Sequence, residues 1–283
     1  MDQRFTLARV LEGSWEFAQP VRLCFVDLEK AYDRAPRSIL WGVLREYGVE
    51  DPWIRAIQSL YRRSRSLVWI ASCKSDSFPV RVGFRQGCPL STVLFITFMD
   101  RISRRSQGVE GVEFSGRKIL LLLFMDDVVL LAPLSRDLQY MLGQFAAECE
   151  AAGRGISTSK SESMVFPLKK VECLPRVGEE VLPQVEEFKY LRILFTSKGR
   201  MEREIDRRIG ATSAVMRALN QSVMVKKELS RKAKLSIYQS IYIPILTCGH
   251  QRWMMTERTR SWIQVAEMSF LLWVAGLNLR DRV

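Results

Sequence analysis

Histidine is almost missing from this chain: His250 is the only one in 283 residues. A lone imidazole, far from any obvious nucleophile, argues against triad hydrolysis. With Cys248 as its near neighbour it supplies too few ligands for a zinc site. The six cysteines (Cys24, Cys73, Cys88, Cys149, Cys173 and Cys248) are scattered, with no CxxC pair. They read as reduced core residues of an intracellular protein and exclude a disulfide framework. The opening MDQRFTLARVLEG lacks the apolar core of a secretory signal, so secretion is not expected. No internal repeat or low-complexity tract is present. Acidic side chains are in deficit, 31 against 43 basic ones, giving a net charge of +12 and a pI near 9.7. That excess favours a polyanionic partner, nucleic acid ahead of an anionic membrane. A hydrophobic content of 47% is ample for a packed core, and the length suits one large domain or two small ones.

Long apolar runs are also lacking. The longest, Ile119 to Ala132 (ILLLLFMDDVVLLA), carries Asp126 and Asp127 at its middle. It is too short and too charged at its centre to cross a bilayer. A buried helix would put two adjacent carboxylates in a dry interior, at a cost of several kcal/mol unless paired or metal-bound. A β-hairpin removes the conflict: Leu120–Phe124 and Val128–Leu131 form buried strands, with Met125-Asp126-Asp127 at the turn. Two like charges that close call for a cation, and carboxylate oxygens suit Mg²⁺. A polar turn of no further role accounts for the same residues.

Along the chain, residues 4–18 are helical in period. Val21–Leu28 (VRLCFVDL) reads as a buried strand with Asp27 near its end. Helices follow from Pro36 to Tyr47 and from Pro52 to Tyr61. Leu67–Ala71 and Phe78–Val82 bracket a polar stretch as a hairpin. A Gly-rich loop, 83–89, leads into a helix over 90–105, and the acidic hairpin comes next. Leu134–Ala152 is amphipathic, with Leu138, Met141, Leu142, Phe145 and Cys149 on one face. A strand is expected near Met164–Phe166, loop or a short hairpin over 167–183, and another strand over Phe188–Phe195. Helices near 202–219, 228–243 and 256–275 complete the chain. With the small hairpin and some helices set aside as insertions, the order is β-α-β-β-α-β. The fold class is α+β, a split βαββαβ antiparallel sheet with helices on one face. In that sheet Asp27 and Asp126 meet. Carboxylates at one point can hold two Mg²⁺ ions roughly 3.5–4 Å apart, the clamp for in-line phosphoryl transfer.

Four stretches, in order, then resemble the reverse transcriptase of non-LTR (LINE-type) retrotransposons: FVDLEKAYD at 25–33, RQGCPLS at 85–91, FMDD at 124–127 and FKYLRILF at 188–195. GISTSKSESM at 155–164 is a weaker fifth. The resemblance implies a right-hand polymerase palm with partial fingers and a C-terminal helical thumb. Residues 1–20 would be a remnant of the fingers. Residues 21–175 would be the palm, with about 36–84 inserted as part of the fingers, and 176–283 the primer-grip strand and thumb. It implies RNA-directed DNA polymerase activity, with Asp27, Asp126 and Asp127 as catalytic metal ligands for two Mg²⁺ ions, or Mn²⁺. Tyr32 would pack under the incoming sugar. Arg85, Gln86 and Gly87 would touch the nascent pair and template, and Lys160 would lie near the leaving pyrophosphate. Lys189, Tyr190 and Leu191 would grip the primer end. The implied partners are an RNA template, a DNA primer and dNTPs, with no membrane, in the nucleus or cytoplasm.

The thumb region holds Arg200, Arg203, Arg207, Arg208, Arg217, Lys226, Lys227, Arg231, Lys232 and Lys234 against Glu202, Glu204, Asp206 and Glu228. A helical surface this basic is expected to track a duplex backbone. Three positions depart from the pattern. Met125 stands where alanine is usual, Thr92 where proline is usual, and Arg192 where glycine is usual, which would strain the primer-grip turn. The N-terminal fingers strands, an endonuclease domain and a zinc knuckle are missing from the pattern. The expectation is therefore a truncated element-derived chain of impaired activity. The alternatives are a catalytically inactive nucleic-acid-binding remnant and, less compatible with RQGCPLS, a two-metal nuclease.

Overall fold

The computed structural model describes residues 3–106, 108, 111–114, 116–166, 172–199, 201–219, 229–250, 253 and 255–275. The chain forms two compact units, 1–186 and 187–283. The boundary leaves the 176–181 hairpin with the first unit and the FKYLRILF stretch with the second.

The first unit opens with helix α1 (Gln3–Glu16), then strand β1 (Val21–Val26). Helices α2 (Arg37–Glu46) and α3 (Asp51–Arg62) follow. They lead to two nested ladders, β2 (Arg65–Ser66) with β5 (Phe78–Pro79) and β3 (Trp69–Ile70) with β4 (Cys73–Lys74). Next come α4 (Pro89–Arg105) and a small hairpin of β6 (Val112–Phe114) and β7 (Arg117–Ile119). The acidic hairpin is β8 (Leu121–Phe124) and β9 (Asp127–Ala132). Helix α5 (Ser135–Ala151), strand β10 (Glu162–Phe166) and the hairpin β11 (Arg176–Val177) with β12 (Glu180–Val181) complete the unit.

Strands β10, β1, β9 and β8 make one antiparallel sheet in that order. Counting only these four strands, the order is 4-1-3-2, the split βαββαβ arrangement expected. Helices α4 and α5 cover one face. Cys24, Val26, Val128, Leu130 and Val165 meet Phe95, Phe98, Leu138, Met141, Leu142, Phe145 and Cys149 in a shared core. The face expected from α5 is thus the face that is buried.

The other face is not open. Val21, Leu23, Phe25, Val129, Leu131, Met164 and Phe166 are buried too, and α1 packs across β8 and β10 with Trp15 against Phe166. Helices therefore lie on both faces, not one. The reason is legible in Leu23–Val26 (LCFV) and Val128–Ala132 (VVLLA), which are continuous apolar runs and not alternating ones; strands of that kind need cover on both sides. Edge strand β8 is only partly buried, so the expectation of two fully buried strands holds for β9 alone.

In the second unit FKYLRILF is not one strand but a tight hairpin, β13 (Glu187–Tyr190) and β14 (Ile193–Thr196), turning at Leu191-Arg192. Both turn residues take positive φ, +46° and +68°. Helix α6 (Glu202–Leu219) follows. The expected helix over 228–243 begins instead at Arg231 as α7 (Arg231–Ile237). It loosens into a π-helical turn (Tyr238–Tyr242) and ends as α8 (Ile243–Leu246), before α9 (Glu257–Ala275). Tyr238, Tyr242 and Phe270 stack on one another at 5.0–5.3 Å in the small core of this unit. The hairpin is fastened to α6 by a buried carboxylate. Glu204 accepts from the Leu194 amide and pairs with Arg207 and Arg208, and both arginines also donate to the Arg192 carbonyl.

A two-residue hairpin turn with both φ positive favours Asn-Gly, and each other residue held there costs about 1–2 kcal/mol. The double substitution Leu191→Asn with Arg192→Gly is expected to stabilise the chain by about 1–2 kcal/mol. A rise in the urea midpoint at constant m-value checks it; an unchanged or lower midpoint would contradict the turn geometry.

Candidate active site

The central ladder ends with Val26 of β1 paired to Val128 of β9, so Asp27 and Asp127 are the next residues on the two strands, near enough for the Asp27 charge to bear on Asp127. Asp127 in turn pairs with Phe124, closing a two-residue turn of Met125 and Asp126. Strand pairing, not sequence proximity, therefore brings Asp27 toward the Asp126-Asp127 pair. Burial raises the pKa of Asp127 above the ordinary carboxylate value, and the charges of Asp126 and Asp27 raise it further. Met125 takes φ +57° in the turn, a conformation that costs a non-glycine residue about 1–2 kcal/mol. Strain of this kind collects where geometry serves function.

Beyond Val26 the chain is held by the 155–161 loop. The Glu29 amide donates to the Gly155 carbonyl, Leu28 bridges Ile156, and the Ser157 amide donates to the Asp27 carbonyl at 2.8 Å. Ser161, fully buried, accepts from the Asp27 amide at 3.0 Å and donates to the Ser157 carbonyl. This clamp sets Lys160 Nζ 3.7 Å from Asp27 Oδ2. The lysine is largely exposed, so the pair is worth little to stability; its interest is positional.

Tyr32 leaves the turn after β1 half-buried, its ring 4.7 Å from Phe95 and 5.5 Å from Phe84. Its hydroxyl reaches Thr92 at 3.5 Å, the outer limit of a hydrogen bond, so the threonine standing in for proline has a partner. Arg85, Gln86 and Gly87 form an exposed loop, with Gln86 donating to Asp33 at 3.1 Å. Gly87 has φ +74° with open space around it, so the backbone conformation is what requires glycine there. Lys189, Tyr190 and Leu191 belong to the second unit. Lys189 is exposed, and Tyr190 is buried against Phe195. Leu191 lies in the turn and not in a strand as expected.

Of the basic thumb residues, Arg203 pairs with Glu187, and Arg207 and Arg208 are tied to Glu204. Arg208 is itself buried, so this part of α6 spends its charge on internal structure. Arg200, Lys226, Lys227 and Glu228 lie outside the described residues.

Arg154 escaped sequence reading. It is 3% exposed, lies over Phe95 and Phe98, and makes one long bond to the Lys30 carbonyl. Its Nε and Nη2 have no hydrogen-bond partner. Burial lowers its pKa to about 10, an effect opposed by Cys149, Asp126 and Asp33. Ser161 lies within GISTSKSESM, but nothing in its residue type announces a buried clamp.

Comparison with known proteins gives a consistent result. Residues 6–194 match the reverse transcriptase (RNA-dependent DNA polymerase) family. The chain is similar to the retrovirus-related Pol polyprotein of the type-2 retrotransposable element R2DM of Drosophila melanogaster. The two are 28% identical over 193 residues, which is 64% of this chain and 18% of the polyprotein. It is also similar to the Pol polyprotein of element R2 of Nasonia vitripennis, 27% identical over 65% of this chain and 19% of that protein. The uncharacterized 149 kDa protein of transposon TX1 of Xenopus laevis is 28% identical over 61% of this chain and 14% of that protein. The chain thus spans under a fifth of the length of these relatives. Among solved structures, Candida tropicalis telomerase in complex with a TWJ fragment of telomeric RNA aligns with 97% of this chain and 46% of that one, at 12% identity and a TM-score of 0.51. The apo form aligns with 98% of this chain and 50% of that one, at 11% identity and a TM-score of 0.50. At those identities the likeness concerns the fold.

Two outcomes follow from the electrostatics. Asp127 holds its proton more tightly folded than unfolded, so the folded state binds more protons there and stability falls as pH rises through the raised pKa. Asp127→Asn is expected to match the parent below the ordinary carboxylate range and to exceed it in stability at neutral pH. Denaturation at the two pH values tests this, and an equal difference at both would refute it. Arg154→Met, replacing a buried, poorly satisfied charge with an apolar side chain of similar length, is expected to add about 1–3 kcal/mol to stability. A loss of midpoint would mean that Asp126 and the two phenyl rings compensate the guanidinium in full.

Proposed function

The chain belongs to the reverse transcriptase (RNA-dependent DNA polymerase) family, with relatives among the Pol proteins of non-LTR retrotransposons, and from that premise we propose that it extends a DNA primer with deoxynucleotides along an RNA template. The observation that carries the reading is the β1–β9 ladder, whose last pair is Val26 with Val128, so that Asp27 and Asp127 are the next residues on the two strands, with Asp126 in the adjoining turn. In this reading the first unit acts as the palm, with residues 36–84 as part of the fingers, and the second as primer grip and thumb.

Asp27, Asp126 and Asp127 would hold two Mg²⁺ ions, with Mn²⁺ as a substitute. Burial first, and then the charges of Asp126 and Asp27, raise the Asp127 pKa, and a divalent cation would relieve the charge repulsion. Among the described residues no group of three or more His, Cys, Asp or Glu side chains is arranged to hold a metal ion; the chemical fit rests on the donor type, since carboxylate oxygens suit Mg²⁺, which keeps several waters as ligands. When bound, the ions would acidify the primer hydroxyl and offset charge on the transferring phosphoryl group. The protein's own residues do the remaining work. Ser161 and the 155–161 loop fix the Asp27 backbone. Lys160 stands beside Asp27, where it can meet the phosphates of the incoming nucleotide. Tyr32, braced by Phe84 and Phe95, offers a flat wall for the sugar. Arg85 to Gly87 would contact the new base pair and template, and the β13–β14 turn would hold the primer end. The described residues include no helix long and apolar enough to cross a membrane, and an intracellular site of action fits this reading.

Primer extension tests it. With oligo(dT)-primed poly(A), dTTP and Mg²⁺, the parent is expected to extend the primer. Asp126→Asn and Asp27→Asn should lose about 10²-fold or more of the rate, the scale of removing one preorganised charge contact from a transition state. Chelation of the metal should abolish extension. Salt-sensitive duplex binding without extension, in a folded sample, would instead leave a nucleic-acid-binding protein.

A further inference from the structure

Between α3 and the Arg85–Gly87 loop the chain projects the nested hairpin of β2 to β5. All eight of its strand residues are exposed. Its tip carries a run of large apolar side chains: Leu67, Val68, Trp69 and Ile70 are 47%, 48%, 65% and 69% exposed. A contiguous exposed apolar run of this size marks a contact surface.

What surrounds the run identifies the contact. Residues 62–85 contain Arg62, Arg63, Arg65, Lys74, Arg81 and Arg85 but only one acid, Asp76. Lys74 Nζ lies 4.3 Å from the centre of the Trp69 ring, its partner across the ladder. An indole with a cation on it, set among further cations, pairs a stacking face with phosphate-binding charge. That combination binds unpaired nucleic acid. A protein partner would face five uncompensated charges around the same patch.

The hairpin is rooted next to the active site. Arg37 donates to the carbonyls of Tyr61, Val80, Val82 and Gly83 and lies over the Tyr61 ring, so one guanidinium ties both legs of the hairpin to α2. Gly83 has φ +75°, and a Cβ there would come within 2.5 Å of the Asp33 carbonyl oxygen. The root is therefore locked against the Tyr32–Asp33 turn. The tip is closed by Ala71 and Ser72, both at positive φ, and braced by the mutual bonds of Val68 and Ser75.

We propose that the β2–β5 hairpin is a stacking platform for an unpaired nucleic-acid strand, with Trp69 stacking on a base and Lys74 and Arg65 meeting the adjacent phosphates. The proposal rests on the nucleic-acid reading above and assigns that function a second contact site, separate from the aspartates.

Binding of labelled single-stranded oligo(U) and oligo(dT), and of a blunt duplex, to the full chain across a salt series tests it. Trp69→Ala is expected to weaken single-strand binding about 5- to 150-fold, the worth of one base–aromatic stack. It should leave the salt slope and the duplex affinity unchanged, and Trp69→Phe should restore most of the loss. Lys74→Gln should lower the single-strand salt slope by about 0.7, one phosphate contact. Trp69 lies outside the core, so the melting temperature should not move, and circular dichroism of each variant verifies folding. Unchanged strand affinity in Trp69→Ala would overturn the proposal. So would an equal loss on duplex, or a change of oligomeric state with strand affinity intact, which would mark a protein contact. Parent protein that binds no nucleic acid at all would overturn the functional reading as well.

Discussion

The antiparallel pairing of β1 with β9 is the constraint on which the rest of the first unit depends. Both strands are apolar on both faces, so neither is stable until helices cover both sides. Helices α4 and α5 supply one cover and α1 the other. The register follows from that burial, since a slip of one residue would exchange the two faces of each strand. Because the register is held so firmly, the residues at the end of the ladder are held too. Asp27 and Asp127 come together as a by-product of core packing a few residues away.

The carboxylate edge itself is poor for stability. Partial burial and the charges of Asp126 and Asp27 raise the Asp127 pKa, and Met125 sits in an unfavourable backbone region. Both costs are local, and both lie at the edge proposed to hold the cation. The second unit shows the same economy in another form. Its basic helix α6 commits Arg207 and Arg208 to Glu204 and to the Arg192 carbonyl. Those charges hold a strained turn to a helix, and a count of basic residues would have assigned them to a nucleic-acid backbone.

Arg37 and Arg154 extend the point. Both are arginines in ordinary-looking polar stretches. Arg37 satisfies four carbonyls at the root of an exposed hairpin, while Arg154 is buried among phenyl rings with two nitrogens unpartnered. Side-chain type was the same; the environment made one a tie and the other a buried charge near the aspartates.

By itself the sequence determined the four-strand order, the buried face of α5, the acidic hairpin tip and the family, because these depend on periodicity, turn chemistry and ordered motifs. The same ordered motifs singled out Asp27, Asp126, Asp127, Tyr32 and the Arg85–Gly87 loop as candidates for the proposed site. Only the tertiary structure decided that α1 covers the second face of the sheet, since a weakly amphipathic helix does not state its partner. The same holds for FKYLRILF, an apolar run that fits one strand or a hairpin until Glu204 draws its turn toward α6. It holds for Ser161, Arg37 and Arg154 as well. Their roles consist of distances to groups far away in the chain, and those distances exist only after the hydrophobic core has brought the segments together.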